Sequence, residues 1–219
     1  MKWLSVTGTG LAITAVGLAV GCGGGADEPP TTITEEDLPM MVLQREDVPA
    51  GLNQLDEDGE TRGFVEPLFD PRAEAIFLRE FELPPNEAEP GTVVCITNSV
   101  ILYESPEDAK RTYRELEELG RVFEEAAREQ GQESLEEEVS LPELGDERKG
   151  FRSSDPSATF CSSYEDEPVE EYAIVFLRRN VAAGLFVFTY EGGGSLDEAI
   201  ELAQTQANRI NAIFEGDDS

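Results

Sequence analysis

Apolar and polar positions change their spacing several times along the chain, and each change marks a predicted element. Runs rich in β-branched and apolar residues predict strands at 92–103, 171–178 and 181–190. Only Arg179 and Asn180 separate the last two runs, so these runs are predicted to form a hairpin. Weaker patterns predict further strands at 62–67, 75–82 and 158–163. The second of these segments is short and is also compatible with a helix.

Two segments carry apolar residues at helical spacing, and each begins with a capping pattern. Ser105, followed by Pro106 and two acidic residues, begins a helix predicted over 106–130. Ser195 begins a second helix over 196–214. Its predicted buried stripe consists of Ala199, Ala203, Ala207, Ile210 and Phe214. Thr34 is predicted to cap a short helical segment within 34–51.

The order of these elements predicts the fold class. Strands occur in runs, and the helices lie between groups of strands rather than after each one, which is typical of α+β proteins. We therefore predict a mainly antiparallel sheet packed by two amphipathic helices, at about 106–130 and 196–214. Residues 129–157 are polar and interrupted by glycine and proline, and no strand is predicted there.

The first residues have the pattern of an export signal. One basic residue, Lys2, precedes a mostly apolar run from Leu4 to Val20, which is too short and too diluted for a typical spanning helix. The run ends Leu18-Ala19-Val20-Gly21-Cys22, which resembles the lipobox of bacterial lipoproteins. This resemblance implies that Cys22 becomes lipidated and N-terminal. The alternative is ordinary secretory cleavage, which would leave Cys22 as a free thiol.

The chain is predicted to have one globular domain after this leader. Residues 1–21 form the signal peptide, 22–36 the lipidated cysteine and a linker, 37–216 a single α+β domain and 217–219 a tail. Glycines and prolines after Cys22 indicate a spacer of mixed stiffness. The spacer residues 23–33 reach at most about 35–40 Å when extended.

Composition excludes several classes of function. The chain has 219 residues, with 16 Lys and Arg, 47 Asp and Glu, no histidine and a net charge of −31. Catalytic pairs that contain histidine, and metal sites with histidine ligands, are therefore excluded. Nucleic acid is not an expected partner, because the phosphates would be repelled. An anionic bilayer would repel the body too, so membrane lipid is the expected partner only through the acylated cysteine. No cofactor is predicted.

Two cysteines remain beyond the predicted anchor. Cys95 and Cys161 lie in strand-like segments, and in an exported protein they are expected to form a structural disulfide. On the chain-entropy model, such a bridge would stabilise the fold by about 4 kcal/mol. A redox pair or a thiolate metal site is the alternative. The chain has neither a CxxC motif nor a histidine in support of it.

Acidic clusters are the remaining candidates for a site. Asp56, Asp58 and Glu60 lie near a glycine, as in the start of a calcium loop, but the regular ligand register and the closing acid are missing. A solvated acidic surface is the favoured interpretation of this cluster, as it is of the acid runs near residues 137 and 166. Four phenylalanines, Phe81, Phe160, Phe176 and Phe186, are interpreted as core residues.

The mature part resembles a class of extracytoplasmic domain. It is similar to uncharacterised domains of lipoproteins in GC-rich bacteria in its Asp-Val-Pro-Ala-Gly segment, its Ser-Pro-Glu-Asp-Ala helix start and its final hairpin followed by an Ala-rich helix. Its layout is also similar to PsbP-like folds and to kinase sensor domains on the outer face of the membrane. These resemblances imply an α+β fold and no catalytic residue.

The sequence therefore favours a lipoprotein anchored on the extracytoplasmic face of the membrane. Its domain is predicted to be a non-enzymatic binding, sensing or accessory module. Two alternatives remain open: a hydrolase that uses carboxylates or a serine, and a low-affinity calcium-binding surface protein.

Overall fold

A seven-stranded antiparallel sheet organises the described part of the chain. The structure is a computed structural model that describes residues 33–55, 72–115, 136–153, 164, 168–190 and 193–216. The strands are β1 (Asn53–Gln54), β2 (Ala73–Glu82), β3 (Val93–Tyr103), β4 (Glu136–Glu138), β5 (Glu147–Ser153), β6 (Val169–Arg178) and β7 (Val181–Tyr190). Their order across the sheet is β1-β2-β3-β7-β6-β5-β4. The predicted α+β class is confirmed.

All described residues belong to one compact unit. The predicted leader and tail lie outside the described residues, whereas the predicted end of the linker, residue 36, lies within the 3₁₀ turn Glu35–Asp37. All of these boundaries stay predictions.

The central strands follow the apolar runs of the sequence. β6 and β7 form the predicted hairpin, with Arg178 paired to Val181 across a turn at Arg179 and Asn180. Residues 75–82, which were compatible with strand or helix, belong to strand β2 because they pair with β3 along nearly their whole length. The predicted strands at 62–67 and 158–163 lie outside the described residues.

Two strands lie within residues 129–157, where the sequence predicted none. β5 pairs with β6 along its whole length, and β4 pairs with the end of β5. Both strands are short or rich in charge, and they occupy one edge of the described sheet. Edge strands often carry charged residues, which lowers the risk of pairing with another chain, so their composition conceals the strand pattern.

The helices begin at the predicted capping residues. A 3₁₀ turn at Glu35–Asp37 leads into the short helix α1 (Leu38–Met41), and the Asp37 carboxylate accepts hydrogen bonds from Thr34 N and Oγ1. Helix α2 begins at residue 106 and is described over 106–115; the rest of its predicted length is outside the described residues. Helix α3 (Leu196–Glu215) has Ser195 as N-cap, with its hydroxyl accepting from Glu198 N.

Helices α2 and α3 pack on opposite faces of the sheet. The predicted stripe of α3 is buried, and it belongs to one hydrophobic cluster with Ile174 and Leu185. We call this side the α3 face, and α1 packs there beside α3. Ala109 and Tyr113 of α2 form a separate cluster with Tyr103 and Leu177, which point to the other side, the α2 face.

Candidate functional site

The predicted site residues fall mostly outside the described part of the chain. The structure does not describe Cys22, Cys161 or the calcium candidates Asp56, Asp58 and Glu60. Lipidation and calcium binding therefore stay predictions. Cys95 lies in β3 and is 1% exposed. Its bridge to Cys161 also stays a prediction.

The four phenylalanines interpreted as core residues have different outcomes. Phe81 and Phe176 are fully buried, as predicted. Phe186 is only half-buried, on the α2 face. Phe160 lies outside the described residues.

A buried carboxylate of β6, close to the start of α3, is the centre of a polar cluster. Glu170, which is 6% exposed, accepts hydrogen bonds from Arg152 Nη2 and from Tyr172 Oη, each at 2.6 Å. The Tyr172 hydroxyl also lies 3.0 Å from the carbonyl oxygen of Gly194, just before α3. We call these residues, Arg152, Glu170, Tyr172 and Gly194, the Glu170 network.

The strand register explains why these side chains meet. Arg152 of β5 is paired with Tyr172 of β6, and Glu170 lies two residues from Tyr172 on the same face. Gly194 approaches closely because it has no side chain: a Cβ atom there would lie 2.2 Å from Thr189 Cγ2. The network therefore fixes the start of α3 against the start of β6.

The electrostatics of the Glu170 network favour the ionised carboxylate. Burial alone would raise the pKa of Glu170, but the hydrogen bonds from Arg152 and Tyr172, together with the Arg152 charge, lower it below its ordinary value. Burial, followed by the bond to Glu170 and its charge, raises the pKa of Tyr172 to about 12. Glu170 therefore acts as a hydrogen-bond acceptor near neutral pH, and Tyr172 as a donor.

This arrangement does not have the properties of a hydrolytic carboxylate pair. General-acid catalysis needs a carboxyl group whose pKa is raised, and glycosidases place two carboxyl groups around the scissile bond. The Glu170 network holds one buried carboxylate with a lowered pKa, and its closest cation is Arg152. Its hydrogen bonds hold the backbone and the start of α3 in place, so the hydrolase alternative would need other residues.

A second polar cluster holds the N-terminal segment, residues 33–48, on the same face. Asn98 is fully buried in β3; its Oδ1 accepts from Leu43 N and its Nδ2 donates to Arg79 O, each at 2.8 Å. Arg79 Nη1 donates to Leu43 O at 3.0 Å. One asparagine thus satisfies two backbone groups from different segments. We call Leu43, Arg79 and Asn98 the Asn98 network.

An ion pair between α3 and the N-terminal segment lies beside the Asn98 network. Arg209 Nε donates to Asp47 Oδ2 at 2.7 Å, and Asp47 Oδ2 also accepts from Gln44 N at 2.7 Å. The hydrogen bond to Asp47 raises the pKa of Arg209. Burial, with a smaller effect from Arg209, lowers the pKa of Arg79. Buried polar bonds therefore tie the N-terminal segment to both β3 and α3.

The α2 face contains a buried hydroxyl without a partner. Thr97 is 1% exposed, and its Oγ1 has no hydrogen-bond partner among the described residues. The register places it beside the half-buried Phe186. The next pair on this face is Ser99, which is half-buried, and Gly184, which is buried and has no side chain. An unsatisfied buried hydroxyl costs about 1–3 kcal/mol.

Sequence reasoning did not find the Glu170, Asn98 or Thr97 positions. The available signal was a polar residue in a segment that otherwise reads as strand. Asn98 and Thr97 interrupt the apolar run of β3, and Glu170 precedes the run of β6. Such a signal indicates a buried polar group, but it does not identify the group's partners, because these come from distant segments.

Comparison with known proteins bears on the fold. No family model matches the chain, and no curated protein matches it. One solved structure with a similar fold is the extracellular domain of PknH from Mycobacterium tuberculosis, with a TM-score of 0.50 and 11% sequence identity. The alignment covers 84% of this chain and 98% of that one. In the described part of the chain, no helix combines the length and the apolar character needed to cross a membrane.

Proposed function

We propose that this chain is a lipoprotein anchored by Cys22 on the extracytoplasmic face of a membrane, and that its α+β domain is a non-enzymatic binding or sensing module. The observation that carries the proposal is the shared fold with an extracellular domain over most of both chains. The lipobox-like leader independently supports export and anchoring. Two acyl chains would hold a strongly acidic body that an anionic bilayer otherwise repels.

A binding role is supported by the two faces of the sheet. The α3 face is closed by buried polar networks and the main hydrophobic cluster. The α2 face has half-buried apolar and small residues around the Thr97 hydroxyl. Proteins retain unsatisfied or strained groups at functional positions at some cost in stability. We therefore propose the middle of the α2 face as the ligand-contacting surface.

Substitution of Cys22 tests the anchor. Cys22→Ser should move the protein from the membrane pellet to the soluble fraction, because serine cannot form the thioether. Gly23→Ser is the matched control and should stay with the membranes. A Cys22→Ser protein that remains in the pellet after a carbonate wash would contradict the anchor.

Mass spectrometry of the native protein gives a second, independent reading. The expected mature chain begins at Cys22, carries a diacylglyceryl group, and has lost two hydrogens to a Cys95–Cys161 bridge. Alkylation in denaturant without reductant should then leave both cysteines unmodified. A chain that still begins at Met1 would contradict the leader, and alkylated Cys95 would contradict the bridge.

Substitution of Thr97 tests the binding surface. Thr97→Val removes the unsatisfied hydroxyl at nearly constant volume, so the free energy of unfolding should stay unchanged or rise by up to about 1 kcal/mol. Thr189→Val is the matched control, since Thr189 is equally buried and its hydroxyl lies 3.5 Å from Glu170 O. Urea unfolding measures both. A larger loss for Thr97→Val than for Thr189→Val would show that the hydroxyl is already satisfied, and would remove this surface from the proposal.

A further inference from the structure

Charged residues are divided unequally between the two ends of the sheet. At the hairpin end, β6 turns into β7, β3 ends and α2 begins. At the opposite, loop end, β3 and β6 begin and Tyr172 contacts the residue before α3. The strand register assigns the described charged residues near the strand termini to one of these ends, and the charged residues of the adjoining loops and helix ends are assigned with the strand or helix end that they flank.

The hairpin end is nearly neutral in the described part of the chain. Its eight basic residues are Arg72, Lys110, Arg111, Arg114, Arg148, Lys149, Arg178 and Arg179. Its nine acidic residues are Glu74, Glu104, Glu107, Asp108, Glu115, Glu143, Asp146, Glu147 and Glu215. Opposite charges alternate here, as in the Arg178–Asp146 pair at 3.4 Å and the Arg111–Asp108 pair at 3.0 Å.

The loop end is strongly acidic. Among the described residues, its single basic residue is Arg152, which is engaged by Glu170. Its ten acidic residues are Glu82, Glu87, Glu89, Glu137, Glu138, Glu170, Glu171, Asp197, Glu198 and Glu201. The formal charge of these residues is therefore −1 at the hairpin end and −9 at the loop end. The described part of the domain has a large charge asymmetry along the strand direction.

We propose that the hairpin end is the surface that faces the phospholipid headgroups of the bilayer that holds the anchor, with the loop end directed away. This inference rests on the proposed anchoring at Cys22. The eleven residues from Cys22 to Thr32 span at most about 35–40 Å, which allows the domain to touch the headgroups. The partner surface is thus set by the tether, and the charge asymmetry selects which end meets it.

The physical reason is repulsion at one end and hydrogen bonding at the other. An acidic end within a Debye length, about 8 Å at physiological salt, of anionic headgroups is repelled. The hairpin end lacks this net repulsion, and its guanidinium groups are of the type that binds phosphate oxygens. The orientation is therefore expected to depend on anionic lipid and on ionic strength.

Tryptophan fluorescence tests the orientation in the full-length, lipidated protein. Trp3 is the single tryptophan and lies in the predicted leader, so a substituted tryptophan would report alone in the mature chain. Glu107→Trp places the probe at the hairpin end and Glu87→Trp at the loop end; both positions are exposed, and each variant loses one acidic residue. The proteins are reconstituted in phosphatidylglycerol-containing vesicles with a headgroup spin label as quencher.

The expected result is quenching of Glu107→Trp that exceeds that of Glu87→Trp by about twofold or more at low salt. The difference should shrink in 1 M salt, where the Debye length is about 3 Å, and in phosphatidylcholine vesicles. Adding Lys110→Glu and Arg111→Glu to Glu107→Trp should reduce its quenching. The charge-preserving pair Lys110→Arg and Arg111→Lys should leave it unchanged.

Each other outcome overturns a specific part of the inference. Equal quenching of the two probes, or stronger quenching of Glu87→Trp, would overturn the orientation while vesicle flotation still confirms the anchor. Failure of the lipidated protein to float with the vesicles would overturn the anchor itself, and the orientation with it. Equal quenching after both charge exchanges would show that charge does not set the orientation.

Discussion

The Asn98 and Glu170 networks each hold a segment outside the strands against the α3 face, but with different chemistry. Asn98 is neutral and fully buried, and its side-chain oxygen and nitrogen each form a hydrogen bond with a backbone group. Glu170 is ionised, 6% exposed, and bonds to a guanidinium and a phenol. The hydrogen bonds of Asn98 therefore involve no titrating side chain, whereas those of Glu170 depend on the charge of one carboxylate. Similar structural tasks thus have different dependence on pH.

The largest expected effect on stability comes from breaking the Asn98 network. Asn98→Leu leaves Leu43 N and Arg79 O buried without partners, so the free energy of unfolding should fall by about 2–4 kcal/mol. Urea unfolding measures the loss. Asn208→Leu, at an exposed position of α3, should change stability by less than about 0.5 kcal/mol. A loss of that small size for Asn98→Leu would show that the two backbone groups find other partners.

A smaller effect is expected from breaking the charged network at its phenol. Tyr172→Phe removes the hydroxyl that donates to Glu170 and lies 3.0 Å from Gly194 O, and the free energy of unfolding should fall by about 1–1.5 kcal/mol. Amide exchange in the first turn of α3 should become faster, because its start is held less firmly. Tyr164→Phe removes a comparable bond to Leu83 O and should leave exchange in that turn unchanged. Equal amide exchange in the first turn of α3 in both variants would contradict the role of Tyr172 in holding the start of this helix.

The smallest expected effect is a change in how the free energy of unfolding depends on pH, and it distinguishes the two networks most directly. Because the pKa of folded Glu170 is lowered, its contribution to stability is present above the unfolded pKa, about 4.3, and is lost as pH falls through the folded pKa. Glu170→Gln lacks this contribution. The stability gap between native protein and variant should therefore narrow by up to about 1 kcal/mol as pH falls below about 5.

The Asn98→Leu variant provides the contrast for this pH experiment. The difference in the free energy of unfolding between Asn98→Leu and the native protein should stay constant over the same pH range, since the substitution removes no titrating group. The other carboxylates act equally in all three proteins, so the differences isolate Glu170. A constant gap for Glu170→Gln would show that the carboxylate is not stabilised in the folded state.

The sequence predicted the elements whose signal is local. The β6–β7 hairpin, strand β3 and the starts of α2 and α3 lie where alternation, β-branched composition and capping residues indicated. These signals depend on neighbours a few residues apart, and the same short-range physics operates in the fold. β4 and β5 were missed because charged edge strands lack that local signal.

The candidate sites could be anticipated only in part. A polar residue in β3 or β6 indicated a special position, yet Asn98 meets Leu43 and Tyr172 meets Gly194, which are distant in sequence. The two α2-face neighbours Thr97 and Phe186 are likewise brought together by the pairing of β3 with β7. The spacing of residues along the chain does not predict these contacts.

By itself, the sequence determined the acidic charge, the absence of histidine, the local elements and the lipobox-like leader from which anchoring is inferred. Tertiary structure alone decided which strands are neighbours, which face each helix covers and where the charges accumulate. The physical reason is range. Capping and alternation act over a few residues, whereas strand pairing joins residues dozens of positions apart and thereby sets both the buried networks and the unequal charge of the two ends.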